Sequence, residues 1–228
     1  AMFLFCTAMH GYSFSLKSAQ LTALSAGLLW WADRKLLCVS DLHLGKSERI
    51  ARRGGSLLPP YENKDTLTRL ASAVNALNPV TVICLGDSFD DLKALDGLNE
   101  DDHASLAALM GGRRWIWIEG NHDAGPVNIG GNHLSEFETG SLIFRHIAKL
   151  GAVGEISGHY HPKASVQMKS GNMTGPCFLV DENRAILPAF GAYTGGLKST
   201  DPAFSPLMSH NALAILTGSQ ALPIPMPR

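Results

Sequence analysis

Three short apolar runs, residues 36–40, 80–85 and 115–118, lead into loops rich in cation-binding residue types, and this recurrence constrains the fold more than any other feature. The first run stops at Asp41, the second at Gly86-Asp87, and the third reaches Gly120-Asn121 after one glutamate. Between the first two, Leu67, Leu70, Ala71, Val74 and Leu77 recur at helical spacing, which predicts a helix over 62–77 that Pro79 ends. A second helical stretch over 101–110 is broken by Gly111-Gly112. Short strands over 13–16 and 23–32 lead in, and strand, helix, strand, helix, strand follows. That order predicts a parallel sheet with right-handed crossovers. Sheets of this kind place their ligand loops at the carboxyl ends of the strands.

Beyond residue 130 the pattern changes. Segments 137–138, 141–145, 153–157, 164–168, 176–180, 185–187 and 212–216 are short, β-rich and separated by Gly, Asn or Pro, which predicts a second, mostly antiparallel sheet. With 228 residues, 45% of them apolar, the chain can bury a core as one domain over 1–228. The proline-rich tail, 223–227, is expected to be loosely ordered. The acidic run 96–102 reads as the start of a helix, where negative side chains suit the dipole.

Composition excludes several classes. The 19 Lys plus Arg stand against 20 Asp plus Glu, so no global basic field marks a nucleic-acid binder, and any such affinity must come from a local patch. Cys6, Cys38, Cys84 and Cys177 show no paired metal spacing and read as small buried hydrophobes of a reducing compartment. The apolar opening, 2–9, is too short for a signal segment, and no apolar stretch reaches about 18 residues. The expectation is a soluble cytoplasmic protein with no membrane partner.

The chemistry gathers in five pieces: Asp41-Leu42-His43, Gly86-Asp87-Ser88-Phe89-Asp90, Gly120-Asn121-His122-Asp123, a lone His146, and Gly158-His159-Tyr160-His161. Each alone is weak, since Asp-x-His is common by chance and Gly and Asn are turn formers. In sequence order at successive strand ends, they supply carboxylate, imidazole and amide ligands together. Such a set suits two hard-to-borderline divalent ions at about 3.5–4 Å, which a carboxylate can bridge. Asp87 is the expected bridge. A water shared by such ions loses its proton near neutral pH and becomes a nucleophile toward a phosphate ester. Gly86 and Gly120 let the backbone turn sharply beside the ions.

Over residues 41–161 these motifs, complete and in order, resemble the calcineurin-like metallophosphoesterases. The resemblance implies a four-layer αββα sandwich, two mixed sheets flanked by helices. It implies that Asp41, His43, Asp87 and His161 hold one metal and that Asp87, Asn121, His146 and His159 hold the other. His122 then faces the scissile phosphate as leaving-group acid or transition-state stabiliser, with the Asp90 carboxylate orienting it. The flanks, Leu44-Gly45-Lys46 with Arg49, Arg53, Gly54 and Leu58-Pro59, and then 188–197, are similar to the bacterial ligase-associated DNA-damage-response metallophosphoesterases. That likeness implies a manganese-dependent endonuclease on single-stranded DNA, working beside a DNA ligase, a helicase and an exonuclease. The same ligands would also accept iron or zinc.

Substrate contacts are sought among Lys46, Arg49 and Arg53, which share one side of a helix, together with Arg145 and Tyr160. Phe89, Tyr61, Tyr160 and Tyr193 are the aromatic candidates for stacking bases, whereas the tryptophans read as core. Two further readings use the same chain. One is a small-molecule phosphomonoesterase or cyclic-nucleotide phosphodiesterase; the other is a non-catalytic repair scaffold. Sequence alone assigns no oligomeric state, and a homodimer is compatible with exposed edge strands.

Overall fold

The computed structural model describes residues 10–55, 58–59, 61–91, 93–94, 97–125, 128–168 and 171–228. Cys6, the apolar opening and Asp96 lie outside these residues. One sheet has seven strands in chain order, β1 (Gly11–Leu16), β2 (Ala19–Leu24), β3 (Leu29–Trp31), β4 (Leu36–Val39), β5 (Thr81–Leu85), β6 (Arg114–Ile118) and β7 (Asn132–Leu134). Pairing is antiparallel from β1 to β4 and parallel from β4 to β7. The crossovers carry α1 (Lys46–Arg52), α2 (Glu62–Leu77) and α3 (Glu100–Met110). Asn99 caps α3, accepting from the Asp102 N–H at 2.8 Å, so the acidic first turn lies where the dipole favours it. The apolar stretch 23–32 is split between β2 and β3 by a turn at Ser25 to Gly27, where Gly27 takes φ 88°.

The second sheet has eight strands: β8 (Glu136–Thr139), β9 (Leu142–Arg145), β10 (Glu155–Ser157), β11 (Lys163–Met168), β12 (Gly171–Val180), β13 (Arg184–Ile186), β14 (Leu213–Leu216) and β15 (Leu222–Pro225). β10 runs parallel to β9 and β13, and the other pairs are antiparallel. Both sheets are therefore mixed. The tail departs from expectation, because β15 pairs antiparallel with β14. Its prolines, Pro223 and Pro225, alternate with residues that keep their N–H, and an edge strand tolerates that arrangement. The next residue, Met226, continues it by donating to the Ala212 carbonyl at 2.9 Å.

Period-two alternation sorts the central strands into layers. Leu37, Val39, Val82, Cys84, Trp115 and Trp117 meet Leu67, Leu70, Val74, Leu106 and Leu109 of the helices. The intervening Leu36, Cys38, Ile83, Leu85, Ile116 and Ile118 meet Phe144, Ile156, Phe178, Ala185 and Ile215 of the other sheet. A strand buried on both faces reads as a continuous apolar run, which is why 36–40, 80–85 and 115–118 stood out. The outer face of the second sheet, with Cys177, Leu179 and Ile186, is covered by Phe204, Leu207 and Met208 around a short 3-10 turn, Pro202–Phe204. Cys38, Cys84 and Cys177 are free and buried, as their surroundings in strands predict. Among the described residues no helix is long and apolar enough to cross a membrane.

Candidate metal centre

The loops after β4, β5, β6, β9 and β10 bring the five sequence pieces to one end of the sandwich. Asp41 (φ 53°), His43 (φ 46°), Asp87 (φ 45°), His159 (φ 72°) and His161 (φ 47°) all sit in left-handed backbone conformations. Such conformations cost about 1–3 kcal/mol each for a residue with a side chain and persist only where the surroundings enforce them. Here backbone hydrogen bonds enforce several of them. The His43 N–H donates to the Asp87 carbonyl at 2.9 Å, and the His159 N–H donates to Asp41 Oδ2 at 3.0 Å.

Three groups of ligand-type atoms result among the described residues, one of which, His43, Asp90 and His122, shares His43 with another. Asp41, His43 and His161 form one trio, and Asp87, His146 and His159 form a second. In the first, His161 Nε2 lies 3.1 Å from Asp41 Oδ1 and 3.4 Å from His43 Nε2. In the second, His146 Nε2 lies 3.3 Å from Asp87 Oδ2 and 3.2 Å from His159 Nδ1, and Asn121 Oδ1 joins at 3.0 Å. Two tautomers are set from behind. His43 donates from Nδ1 to Asp90 Oδ1 at 2.8 Å, and His146 donates from Nδ1 to the Leu85 carbonyl at 2.8 Å, so in the neutral rings both Nε2 lone pairs face inward.

The centre fits divalent cations on three counts. Unshared pairs on imidazole nitrogens 3.2–3.4 Å apart repel unless a proton or a cation lies between them. Asp41 Oδ1 is buried with no hydrogen-bond donor aligned on it. The donor set of carboxylate, amide and imidazole atoms also suits borderline divalent ions. Asp87 stands with the second trio, and its Oδ1 accepts the His122 N–H at 2.8 Å.

Charge follows the same geometry. Burial works to raise the Asp87 pKa, but the hydrogen bond and charge of His146 outweigh it and hold the carboxyl down at about 2. Burial opposes ionisation of Asp41 too, and His161 and His146 overcome it. His146 is the counterpart: burial lowers its pKa, yet Asp87 and Asp41 raise it above the ordinary histidine value.

His122 and Asp90 meet differently from the expected pairing. His122 Nδ1 donates to the Asp90 backbone carbonyl at 2.9 Å, while the fully buried Asp90 carboxylate faces His43, Arg49 and, at 3.9 Å, Lys46. The carboxylate therefore orients a candidate metal ligand, and the main chain of the same residue orients His122. The rings of His43 and His122 stand edge to face, with centroids 5.3 Å apart.

The expected substrate contacts divide. Lys46 and Arg49 flank the Asp90 carboxylate, two cations against one acid. Arg53 is 63% exposed on the rim, 3.9 Å from Asp91. Arg145 departs from its expected role. Its guanidinium borders a cleft of about 380 Å³ shared with Asn121 and His146, but it is buried between Glu136 at 2.6 Å and Glu155 at 2.9 Å. Glu155 is fully buried and needs countercharge, which Arg145 and Arg184 supply. Tyr160, half-buried, leans on His159 and Phe204 with centroids 5.1 and 5.5 Å away, whereas Phe89 is fully buried against Trp117 and presents no face.

Asp123 has a structural part that the sequence reading left unassigned. Its carboxylate accepts from four backbone N–H groups, those of Gly120, Asp87, Ser88 and Phe89, at 2.8–3.2 Å. It pins the loop of Asn121 and His122 to the loop of Asp87 and Asp90. Its place as the acid closing Gly-Asn-His-Asp is the signal that pointed to it.

Comparison with known proteins agrees with this construction. The family model described as calcineurin-like phosphoesterase matches residues 34–174. No curated protein matches the sequence. Among solved structures, the Pseudomonas putida nuclease MPE superposes with a TM-score of 0.71 at 24% identity, covering 94% of this chain and 100% of that one.

Proposed function

The chain belongs to the calcineurin-like phosphoesterases, a family of metal-dependent hydrolases, and on that premise we propose that it is a phosphodiesterase that cuts single-stranded DNA internally. The observation that carries this reading is the pairing of Lys46 and Arg49 with the Asp90 carboxylate, which groups with His43 and His122 and so sets two cations beside the ligand trios. A strand's phosphates would find paired cations and an acid in one place. The Pseudomonas putida nuclease of the same fold supports the choice of nucleic acid.

In this reading Asp41, His43, Asp87 and His161 would hold one cation, and Asp87, Asn121, His146 and His159 the other. Two divalent ions held there would supply positive charge toward phosphoryl oxygens and lower the pKa of a water. The protein's own groups do the rest. His122, donating through Nδ1 to the Asp90 carbonyl, would act in its imidazolium form, giving the second proton, on Nε2, to the departing alcohol oxygen and being left as the neutral ring. Lys46 and Arg49 orient the phosphate, and Arg53 extends the basic face along the strand. Manganese is the proposed ion, with iron or zinc compatible with the same donors. The role falls in cytoplasmic DNA repair beside a ligase, a helicase and an exonuclease, with residues 1–228 acting as one domain.

The test offers metal-stripped protein, refilled with manganese, a single-stranded DNA circle, an aryl phosphodiester and the matching monoester. Cleavage of the diester and the circle is expected, since a circle gives an exonuclease no end. Turnover of the monoester alone would replace the nuclease reading with a small-molecule phosphatase. No turnover on any substrate would favour a scaffold.

A further inference from the structure

Of the aromatic candidates for stacking, Phe89 is buried and Tyr160 half-buried, whereas Tyr61 and Tyr193 stand in the open at 69% and 45% exposure. One acceptor ties them together: the Tyr193 hydroxyl and the Tyr61 N–H both donate to the Pro59 carbonyl, at 3.3 and 2.9 Å. The hydroxyl bond fixes the Tyr193 ring without burying it.

The Tyr193 loop is braced against the candidate metal centre at both ends. Gly191 N–H donates to the carbonyl of Asp41 at 3.0 Å, and Leu197 N–H donates to the carbonyl of Tyr160 at 3.1 Å. The glycines explain how closely the loop lies, since a Cβ on Gly191 would strike the Leu42 carbonyl and one on Gly196 the His161 carbonyl. Tyr193 is two residues from the first brace, so its Cα lies within about 7 Å of it. It holds φ 57°, a conformation a bulky residue rarely adopts and one that gathers at ligand clamps. Tyr61 is fixed from the other side. The residues after it grip the start of α1, with Asn63 accepting the Gly45 N–H at 2.8 Å and Glu62 the Ser47 N–H at 2.9 Å. The helix so gripped carries Lys46 and Arg49.

Two exposed rings, Tyr193 tied by its hydroxyl and Tyr61 carried on backbone next to the residues that grip α1, thus accompany a cationic helix and a loop braced on Asp41, the combination by which proteins hold single strands: backbone charge met by cations, base faces met by aromatic rings. We propose that Tyr61 and Tyr193 form a nucleobase-stacking wall that seats unpaired bases of the strand beside the phosphate to be cut. The proposal rests on the nucleic-acid reading above and adds the subsite that would select unpaired bases.

Fluorescence anisotropy of the manganese-loaded full chain with a labelled phosphorothioate oligothymidine tests it, alongside an abasic strand of the same length. For Tyr193→Leu and Tyr61→Leu, affinity for oligothymidine is expected to fall about tenfold each. Tyr61→Phe, which keeps the ring, should bind as wild type does; Tyr193→Phe, which keeps the ring but loses the bond to the Pro59 carbonyl, should fall between wild type and Tyr193→Leu; and the abasic strand should not distinguish wild type from the Leu variants. Equal affinity of wild type and Leu variants for oligothymidine would overturn the wall while leaving the nuclease reading in place. So would an equal loss on the abasic strand, which would assign the tyrosines to folding or to backbone contact. Failure of wild type to bind either strand would remove both, and its hydrolysis of the aryl phosphodiester would still report separately on the phosphoesterase itself.

Discussion

His43 donates through Nδ1 to the carboxylate of Asp90 at 2.8 Å, so a residue of the Gly-Asp-x-x-Asp motif stands directly behind a candidate ligand of the Asp-x-His motif. A carboxylate behind a ligating imidazole fixes its tautomer and raises its basicity. Asp90→Ala is therefore expected to weaken metal binding by about 10–100-fold. Chelator competition on the purified variant measures this. Unchanged metal affinity with only the turnover lost would return Asp90 to the role of partner for His122 alone.

Asp123→Ala would leave the N–H groups of Gly120, Asp87, Ser88 and Phe89 without their acceptor. Each buried unsatisfied donor costs about 1–3 kcal/mol, and with water entering to satisfy some of them a net loss of about 2–4 kcal/mol is expected. Chemical denaturation of the metal-free variant checks it. A stability within about 0.5 kcal/mol of wild type would show that the loops hold without the clamp.

His122→Ala is expected to keep both metals and to slow diester hydrolysis by about 10²–10⁴-fold. The loss should grow as the leaving alcohol becomes more basic, because a poor leaving group needs the proton from Nε2 most. Rates on an aryl and an alkyl diester measure the contrast. An equal loss on both would assign His122 to binding of the phosphate instead.

The pH response follows from two opposite shifts at one hydrogen bond. His146 has its pKa raised, so it stays protonated in the metal-free chain at pH values where an ordinary histidine has begun to lose its proton, and it must lose that proton to ligate. Metal affinity should therefore climb as pH rises through the neutral range, with proton uptake by the buffer visible in calorimetry. The stability that His146 contributes to the metal-free chain is full below its unfolded pKa and fades as pH rises through the raised folded value. Asp87 acts in reverse: its contribution is full above the ordinary carboxylate range and fades as pH falls toward about 2. A metal affinity independent of pH between about 6 and 8 would contradict the protonated His146–Asp87 pair.

Much of the centre was legible because its parts announce themselves locally. Asp41, Asp87 and Asn121 fall where apolar runs end, and a parallel sheet brings such ends together whatever the rest of the chain does. Partner identity was less legible, because it depends on which groups meet across the fold. Asp90 turned its carboxylate to His43 and its carbonyl to His122, a division that spacing cannot express. Arg145 looked like free charge beside a motif histidine, yet Glu155, ten residues on, is buried and claims it. The tail read as loose because prolines break ladders, and it pairs because alternate residues of an edge strand need no inward donor. Strand β7, Asn132–Leu134, carries polar residues and lies among glycines, so neither periodicity nor composition marked it.

The Asp41 and Asp87 trios are proposed to hold two cations that together support hydrolysis of a phosphodiester. The most direct measurement titrates manganese into the metal-stripped chain while following bound ion and aryl phosphodiester turnover in the same samples, with Asp87→Ala beside wild type. Wild type is expected to bind two ions and to gain full activity only as the second is taken up, and the Asp87 variant to lose binding and activity together. Full turnover with a single ion bound, or undiminished turnover in the Asp87 variant, would contradict that proposal.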